Sequence, residues 1–587
     1  MKRIILAMAF VVLLLSGCTS NTPSEETTEA QNNGLTLEEK VGQMIQVERG
    51  GMSLSRIKAL NIGSVLSGGG SAPGNGSISQ WQNMMKQFDE ASRGSSSGIP
   101  VIYGIDAVHG NNNVLTATIF PHNIGLGAAN DPDLMRRIGR ATAEEMKVIG
   151  AHMNFAPALS IVNDKRWGRT YEGYSEDPEI VANLGIPYIL GLKEYGIIST
   201  AKHFVGDGHV KYGTGEGDFL LDRGDVDMSV EALMAIYGPV YQSAIDAGVD
   251  AIMVSYSSVN GNKMHGHEHL LTRVLRDEMN FKGVLISDWE GIQALPGTLD
   301  EQVVNAVNAG IDLLMQPYNG EEVYYILLKA VKEGRVSETR IDEAVSRILD
   351  MKEKAGLFKH SESFETYKIG TDFARATARE AVAKSQVLLK NDRVLPLSKN
   401  QKIYVMGPAA DHIGIQCGGW TVEWQGTMTE TFLWGDSILG AFKESTDALV
   451  ANPEDADVIV LVVGEKPYAE MRGDTDDATL GGPLSLEGNL DAIALAKKYD
   501  KPVVTLIVAG RPLVIEPYID DWDAVVMSFL PGTEALGITD VLYGIVPFTG
   551  KLPVTWPKET SGFDVTYLRF ERSSEVLFPL GYGLEIK

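Results

Sequence analysis

Short hydrophobic runs rich in β-branched residues alternate with amphipathic stretches from about residue 35 to residue 358. The runs are typical of buried strands, and the stretches between them repeat apolar residues at helical spacing. Seven or eight strand–helix units in succession predict parallel βαβ units and a TIM-type (β/α)8 barrel. The predicted strands are Gly63–Leu66, Val101–Ile105, His152–Phe155, Ile198–Ala201, Ala251–Ser255, Val284–Ser287 and Ile311–Met315; the predicted helices include Asp131–Ile149, Ser229–Ala247 and Glu321–Lys332.

The alternation is lost over residues 359–375, which we interpret as a linker, and it resumes in residues 376–587. This second block predicts a smaller α/β sandwich domain, an open sheet covered by helices such as Gly488–Lys498. Its predicted strands are Ile403–Met406, Val458–Val463, Val503–Val508 and Val525–Phe529. We therefore expect two domains, a barrel over residues 35–358 and the sandwich after the linker.

Polar residues follow several predicted barrel strands directly. They are Asp106, Lys202, His203, Tyr256 and Asp288. In a parallel barrel the carboxyl ends of the strands face the active site. Each residue alone is better interpreted as a helix cap or an ion pair, but their repetition at strand ends predicts a shared site.

Length and charge limit the classes of function. A chain of 587 residues is too long for one hydrophobic core. The formal net charge of −26 argues against a nucleic-acid partner, because phosphates would be repelled. The acidic surface is compatible with neutral or weakly charged substrates.

The first residues are interpreted as an export signal. Lys2 and Arg3 precede an apolar stretch that is too short to span a bilayer, and this stretch ends in Leu15-Ser-Gly-Cys18. That ending resembles the lipobox of bacterial lipoproteins, in which the cysteine carries the lipid. We therefore expect a signal peptide over 1–18, a polar tether over 19–34 and a lipid-anchored protein on a periplasmic or cell-surface membrane face. With Cys18 lipidated, Cys417 is the only other cysteine, so no intramolecular disulfide can form.

The residues at the strand ends have the chemistry needed to bind a sugar. A cation and an imidazole stand together at Lys202 and His203, Asp106 follows another strand, and Arg169 lies in a loop. Fixed donors and acceptors that converge with little net charge can hydrogen-bond the hydroxyls of a neutral polyol.

Six motifs carry a family resemblance. They are Tyr-Gly-Ile-Asp-Ala-Val-His-Gly (103–110), Lys-His-Phe-Val-Gly-Asp-Gly (202–208), Val-Ser-Tyr-Ser-Ser (254–258), Ile-Ser-Asp-Trp-Glu-Gly-Ile (286–292), Gly-Gly-Trp-Thr-Val-Glu-Trp-Gln-Gly (418–426) and Phe-Pro-Leu-Gly-Tyr-Gly (578–583). With them the chain resembles glycoside hydrolase family 3, close to its exo-acting β-glucosidase and β-glucan glucohydrolase branch. The resemblance implies a barrel followed by an α/β sandwich, with the active site between them and neither cofactor nor metal.

The resemblance also implies residue roles. Asp288 matches the catalytic nucleophile, and Glu470 of the second domain aligns best with the acid/base, with Glu465 as the competing glutamate. Glu216 is expected to contact residues of the site without contacting the sugar itself. The residues implied to bind the sugar at the cleavage position are Asp106, Arg169, Lys202, His203 and Tyr256, and those implied to clamp the next sugar are Trp289, Trp420 and Trp424.

The leading hypothesis is a retaining exo-β-glucosidase that acts on β-glucans and on cello- or laminari-oligosaccharides. Three alternatives stay open: a β-N-acetylglucosaminidase of the same family, a barrel aldolase with Lys202 as its Schiff-base amine, and a sugar-binding lipoprotein without catalysis. The full second domain argues against the first of these.

Two clusters in the sequence contain residue types that bind metal ions, one of histidines and one of aspartates. His265, His267 and His269 are close in sequence but lack a His-Glu-x-x-His helix, so we interpret them as polar surface residues. The loop with Asp474, Asp476 and Asp477 lacks the glycine and final glutamate of an EF-hand.

Overall fold

The computed structural model of the chain describes residues 32, 34–359, 367–429, 434–568 and 570–586. The predicted signal peptide lies outside the described residues, as does the predicted tether except for residues 32 and 34. Within the described part, none of the helices combines the length and the hydrophobicity needed to traverse a lipid bilayer.

The first domain is a parallel eight-stranded barrel, as the alternation predicted. Its strands are β1 (Ile45–Glu48), β2 (Ser64–Ser67), β3 (Ile102–Ile105), β4 (Met153–Asn154), β5 (Ile198–Phe204), β6 (Ala251–Val254), β7 (Val284–Ile286) and β8 (Leu314–Met315). They follow the order β7-β6-β5-β4-β3-β2-β1-β8. The Ser287 N–H donates to the Leu313 carbonyl at 3.0 Å, and this bond joins the two ends of the sheet.

Helices pack around the barrel, and most begin at a residue whose side chain accepts a backbone N–H. Thr36, Ser53, Ser229, Thr298 and Ser337 are such caps. The helices are Leu37–Gln43, Leu54–Leu60, Ile78–Arg93, Asn123–Ala129, Pro132–Ile149, Pro178–Lys193, Val230–Asp246, the π-helical His269–Glu278, Leu299–Ala309, Gly320–Lys332 and Glu338–Lys354.

The second domain has a five-stranded sheet. Its strands are β9 (Val387–Asn391), β10 (Ile403–Met406), β11 (Val458–Gly464), β12 (Val503–Val508) and β13 (Ala524–Met527). The order is β9-β13-β12-β11-β10, and β9 is antiparallel to its neighbour β13. Its helices are Asp372–Ser385, Ile413–Cys417, Ile438–Ser445, Asn489–Ala496 and Leu536–Leu542.

Shorter elements lie in the connecting loops. Small sheets pair Asp225–Val226, Ser258–Val259 and Asn262–Lys263, and separately Trp556–Pro557 and Val576–Phe578. The 3₁₀ turns are Thr170–Glu172, Met264–Gly266, Gly291–Ala294, Pro453–Asp455, Glu470–Gly473, Ile519–Asp521, Thr560–Gly562 and Phe570–Glu575.

Three elements differ from the prediction. Strand β1 was not predicted, because buried Gln46 and Glu48 interrupt its apolar pattern. Strand β9 was not predicted either; it follows the helix Asp372–Ser385 after a single residue. That helix begins inside the stretch predicted as a linker.

The two domains are joined by buried hydrogen bonds above the barrel. The Tyr171 hydroxyl donates to the Tyr468 carbonyl at 2.6 Å, and the Asn112 amide donates to the Trp420 carbonyl at 2.6 Å. Arg511 Nη1 donates to the Lys165 carbonyl at 3.0 Å. These contacts fix loops of the second domain over the carboxyl ends of the strands.

Candidate active site

A cavity of about 450 Å³ opens at the carboxyl ends of the barrel strands, beneath loops of the second domain. This volume lies within the range of small-molecule sites. Ten residues singled out from the sequence line it together: Asp106, Arg169, Lys202, His203, Tyr256, Asp288, Trp289, Trp420, Trp424 and Glu470. Convergence of residues so distant in sequence makes this cavity the candidate active site.

Asp288 follows β7 after one residue, Ser287, and hydrogen bonds hold both its backbone N–H and its side chain. Its N–H donates to His265 Nε2 at 3.0 Å, and its Oδ1 accepts the Trp289 N–H at 2.7 Å. Its Oδ2 lies 3.5 Å from His203 Nε2. The carboxylate is therefore held in a fixed orientation at the wall of the cavity.

His203 ends a chain of buried polar groups. Its Nδ1 lies 2.5 Å from Asp207 Oδ2, and the other oxygen of Asp207 accepts the Ser255 hydroxyl at 2.5 Å. Burial alone would raise the pKa of Asp207, but the adjacent imidazole and these hydrogen bonds hold it below its usual value. An ionised Asp207 keeps a proton on His203 Nδ1 and fixes the ring toward the cavity.

Lys202 and Asp106 form the inner end of the cavity. Lys202 Nζ donates to Asp106 Oδ1 at 3.2 Å and lies 5.6 Å from the Trp420 ring centre. Burial raises the pKa of Asp106, and the Lys202 ammonium partly offsets this effect. The pair presents one acceptor group and one donor group to the cavity.

Arg169 and Glu172 link the barrel to the second domain. Arg169 donates from Nε and Nη2 to the two oxygens of Glu172, each at 2.9 Å. Glu172 Oε1 also accepts the Trp420 indole N–H at 3.0 Å. This bidentate pair orients both the guanidinium and the indole.

Aromatic side chains form the outer part of the cavity. The Trp289 ring lies so close to Gly68 that a Cβ there would be 2.7 Å from the ring. The ring of Tyr318 packs edge-on against Trp289 with centres 5.8 Å apart, and this tyrosine is 63% exposed at the rim. The second glycine of the same loop, Gly69, meets Trp420 and Trp424 in the same way. Because glycine has no side chain, the indole rings of Trp289 and Trp420 can pack against this loop at the opening of the cavity.

Glu470 enters the cavity from a 3₁₀ turn after β11. Its Oε1 accepts from Arg169 Nη1 at 3.4 Å, and its Oε2 accepts from Arg223 Nη2 at 3.0 Å. Its backbone is left-handed, with φ of 53°. Left-handed non-glycine residues are uncommon and cluster at functional sites.

Glu465, the competing glutamate, lies away from the cavity. It is buried, accepts the Tyr468 hydroxyl at 2.9 Å and the Gly510 N–H at 3.2 Å, and lies 3.4 Å from Arg511. Burial raises its pKa despite Arg511. Its contacts join the sheet to the interdomain loops, and it does not line the cavity.

Glu216 does not line the cavity, but it is connected to the site through Arg223. Its Oε2 accepts from Arg223 Nη1 at 3.1 Å, while the same guanidinium binds Glu470 and lies 3.9 Å from the Tyr256 ring centre. Burial alone would lower the pKa of Arg223, but the nearby carboxylates raise it, Glu470 most strongly. Arg223 was not singled out from the sequence, because it stands in no recognised motif.

His265 contradicts the interpretation of its cluster as polar surface. Its side chain is 1% exposed and supports the backbone of Asp288. Burial lowers the pKa of His265 to about 4, so the ring is neutral and its Nε2 can accept. The described residues contain no group of three or more His, Cys, Asp or Glu side chains that could hold a metal ion.

A parallel barrel that presents an aspartate to a small-molecule cavity, which a glutamate from the following α/β domain also lines, has the features of a glycoside hydrolase. The model of the glycosyl hydrolase family 3 N-terminal domain matches residues 36–351, and that of its C-terminal domain matches residues 386–586. The chain belongs to glycosyl hydrolase family 3.

Named relatives cover most of the chain. A lysosomal beta glucosidase of Dictyostelium discoideum is 32% identical, with 94% of this chain and 74% of the relative aligned. A periplasmic beta-glucosidase of Salmonella typhimurium is 29% identical, over 86% of this chain and 73% of the relative. The crystal structure of an exo-1,3/1,4-beta-glucanase from a Pseudoalteromonas species superposes with a TM-score of 0.90 at 37% identity, over 96% of this chain and 74% of the other.

Proposed function

We propose that this protein is a retaining exo-acting β-glucosidase that removes terminal non-reducing β-D-glucosyl residues from β-glucans and from cello- or laminari-oligosaccharides. The observation that carries the proposal is the shared cavity of Asp288 and Glu470, which is also lined by Asp106, Arg169 and Lys202. The beta-glucosidase and exo-glucanase relatives support the same substrate class.

The proposed reaction is a double displacement. Asp288 attacks the anomeric carbon while the glycosidic C–O bond breaks, and Glu470 gives its proton to the departing oxygen. A water molecule then attacks the same carbon, Glu470 takes the proton from this water, and the ester bond to Asp288 breaks. Such a mechanism requires carboxyl groups about 5–5.5 Å apart on opposite sides of the scissile bond.

The shape of the cavity supports exo action. Lys202 and His203 are only 2% and 4% exposed, and Arg169 is 4% exposed, so the inner end is closed. A polysaccharide cannot pass through such an end, and only a terminal unit can reach Asp288. The indole walls at the opening can stack on the apolar faces of the following unit.

A panel of glucose disaccharides tests the proposed function. The mature protein is expected to release glucose from β-1,3- and β-1,4-linked disaccharides, and the first glucose formed should have the β configuration. The Asp288→Asn variant serves as the control. Release of the α anomer would contradict retention, and release of N-acetylglucosamine from its glycosides in place of glucose would favour the alternative branch of the family.

We also propose that the protein is exported and lipid-anchored through Cys18. The apolar stretch that ends in Leu15-Ser-Gly-Cys18 supports this proposal. Cells that express the protein with labelled fatty acid are expected to label the wild type and not a Cys18→Ser variant. Equal labelling of the two proteins would exclude lipidation at this position.

A further inference from the structure

The carboxylate of Asp474 binds three backbone amides from two loops of the other domain. Its Oδ1 accepts the Gly168 N–H at 2.8 Å. Its Oδ2 accepts the N–H groups of Leu221 and Asp222 at 2.7 and 2.8 Å. Because both oxygens accept amide protons of the barrel domain, the aspartate connects two barrel loops to the second domain.

The three amides stand next to the two arginines that bind Glu470. Gly168 precedes Arg169, and Asp222 precedes Arg223. Asp474 itself follows Glu470 by four residues, at the end of the same 3₁₀ turn. One carboxylate thus holds the backbone beside each guanidinium, on the turn that carries the glutamate.

The loops touch so closely that a side chain would not fit between them. A Cβ on Gly168 would lie 1.9 Å from the Glu470 carbonyl oxygen and 2.8 Å from the Asp474 nitrogen. The Gly168 loop and the Glu470 turn are therefore in backbone contact, and a small displacement of one must move the other.

We propose that Asp474 is a positioning residue for proton transfer: it holds the loops of Arg169 and Arg223 in register with the turn that carries Glu470. This inference rests on the proposed function, since it assigns Asp474 a role through the acid/base. Arg511 and the Thr475 N–H also join this turn to the loop of Arg169, but Asp474 binds backbone amides in both the loop of Arg169 and the loop of Arg223. A displacement of about 1 Å at a reacting group can cost about 10²-fold in rate.

The matched variants are Asp474→Asn and Asp474→Ala. Asparagine has nearly the same shape but one acceptor oxygen, so it cannot accept all three amides and turns an N–H₂ group toward at least one of them. Asp476→Asn is the control, because this aspartate is exposed in the same loop.

The test compares leaving groups. For Asp474→Asn we expect kcat/KM to fall about 10²-fold on cellobiose, whose leaving group needs a proton, and less than about tenfold on 2,4-dinitrophenyl β-glucoside, whose leaving group does not. The control should retain wild-type values on both substrates. Equal losses on the two substrates, or no loss, would overturn the proposal.

Circular dichroism and covalent labelling distinguish a failure of this inference from a failure of the proposed function. Unfolding of Asp474→Asn, detected by circular dichroism, would show a purely structural residue and would also overturn the proposal. Failure of a 2-deoxy-2-fluoro glucoside to label wild-type Asp288 would instead contradict the proposed function. If that label forms and the losses on both substrates are equal, only the role of Asp474 is wrong.

Discussion

Replacement of Asp288 by asparagine is expected to lower kcat at least about 10⁴-fold, on activated and unactivated glucosides alike. The amide cannot form the glycosyl ester, so the first displacement fails whatever the leaving group. Asparagine Oδ1 can still accept the Trp289 N–H, and the Asp288 N–H still has His265 as its acceptor. The fold should therefore survive. Steady-state rates on cellobiose and on a dinitrophenyl glucoside, with thermal unfolding of the variant, measure these effects.

Glu290→Gln is the matched control for this variant. Glu290 belongs to the same turn but does not line the cavity. It should keep rates within a few-fold of wild type. If Glu290→Gln were as inactive as Asp288→Asn, the loss would come from the turn and not from one carboxylate.

The Glu470→Ala variant should lose about 10²–10⁴-fold in kcat/KM on cellobiose, because a general acid contributes about that factor. On a dinitrophenyl glucoside, whose leaving group needs no proton, the glycosyl enzyme should form readily and then hydrolyse slowly for lack of a base. Azide, a small anionic nucleophile, should restore turnover on this substrate and yield the β-glucosyl azide. The rate with and without azide, together with the identity of the product, measures this effect.

The Glu465→Ala variant should lose stability. It leaves the Arg511 guanidinium buried without its carboxylate, which costs about 3–5 kcal/mol in the free energy of unfolding. Azide should not restore its activity. Azide rescue of Glu465→Ala, with no rescue of Glu470→Ala, would show that the acid/base had been assigned to the wrong glutamate.

The barrel was predictable because several of its strands are apolar runs followed by polar residues that line the cavity. Val284–Ile286 followed by Asp288 is such a case: burial sets the run, and the end of the strand sets the side chain that faces the cavity. Strand β1 was not predicted because it contains the buried polar residue Gln46. The Gln46 amide donates to the Ser64 hydroxyl inside the barrel at 2.6 Å. Hydrophobic periodicity along one segment cannot detect a polar residue whose partner lies in the neighbouring strand.

The supporting residues of the site were less predictable than those singled out as lining the cavity. Arg223 and His265 act through contacts with Glu470 and Asp288, and such contacts exist only once separate loops have been packed together. His265 even stood in a pattern that suggested surface. Glu172 offered a signal, since it lies three residues after Arg169 in the sequence and pairs with it at that spacing.

Covalent trapping tests the central claim most directly. Wild-type protein treated with a 2-deoxy-2-fluoro β-glucoside that carries an activated leaving group should gain the mass of one fluoroglucosyl unit, and peptide mapping should place it on Asp288. The adduct should turn over slowly, and Asp288→Asn should not form it. A stable adduct on any other residue, or inactivation of the variant at the wild-type rate, would contradict the assignment of Asp288 as the nucleophile.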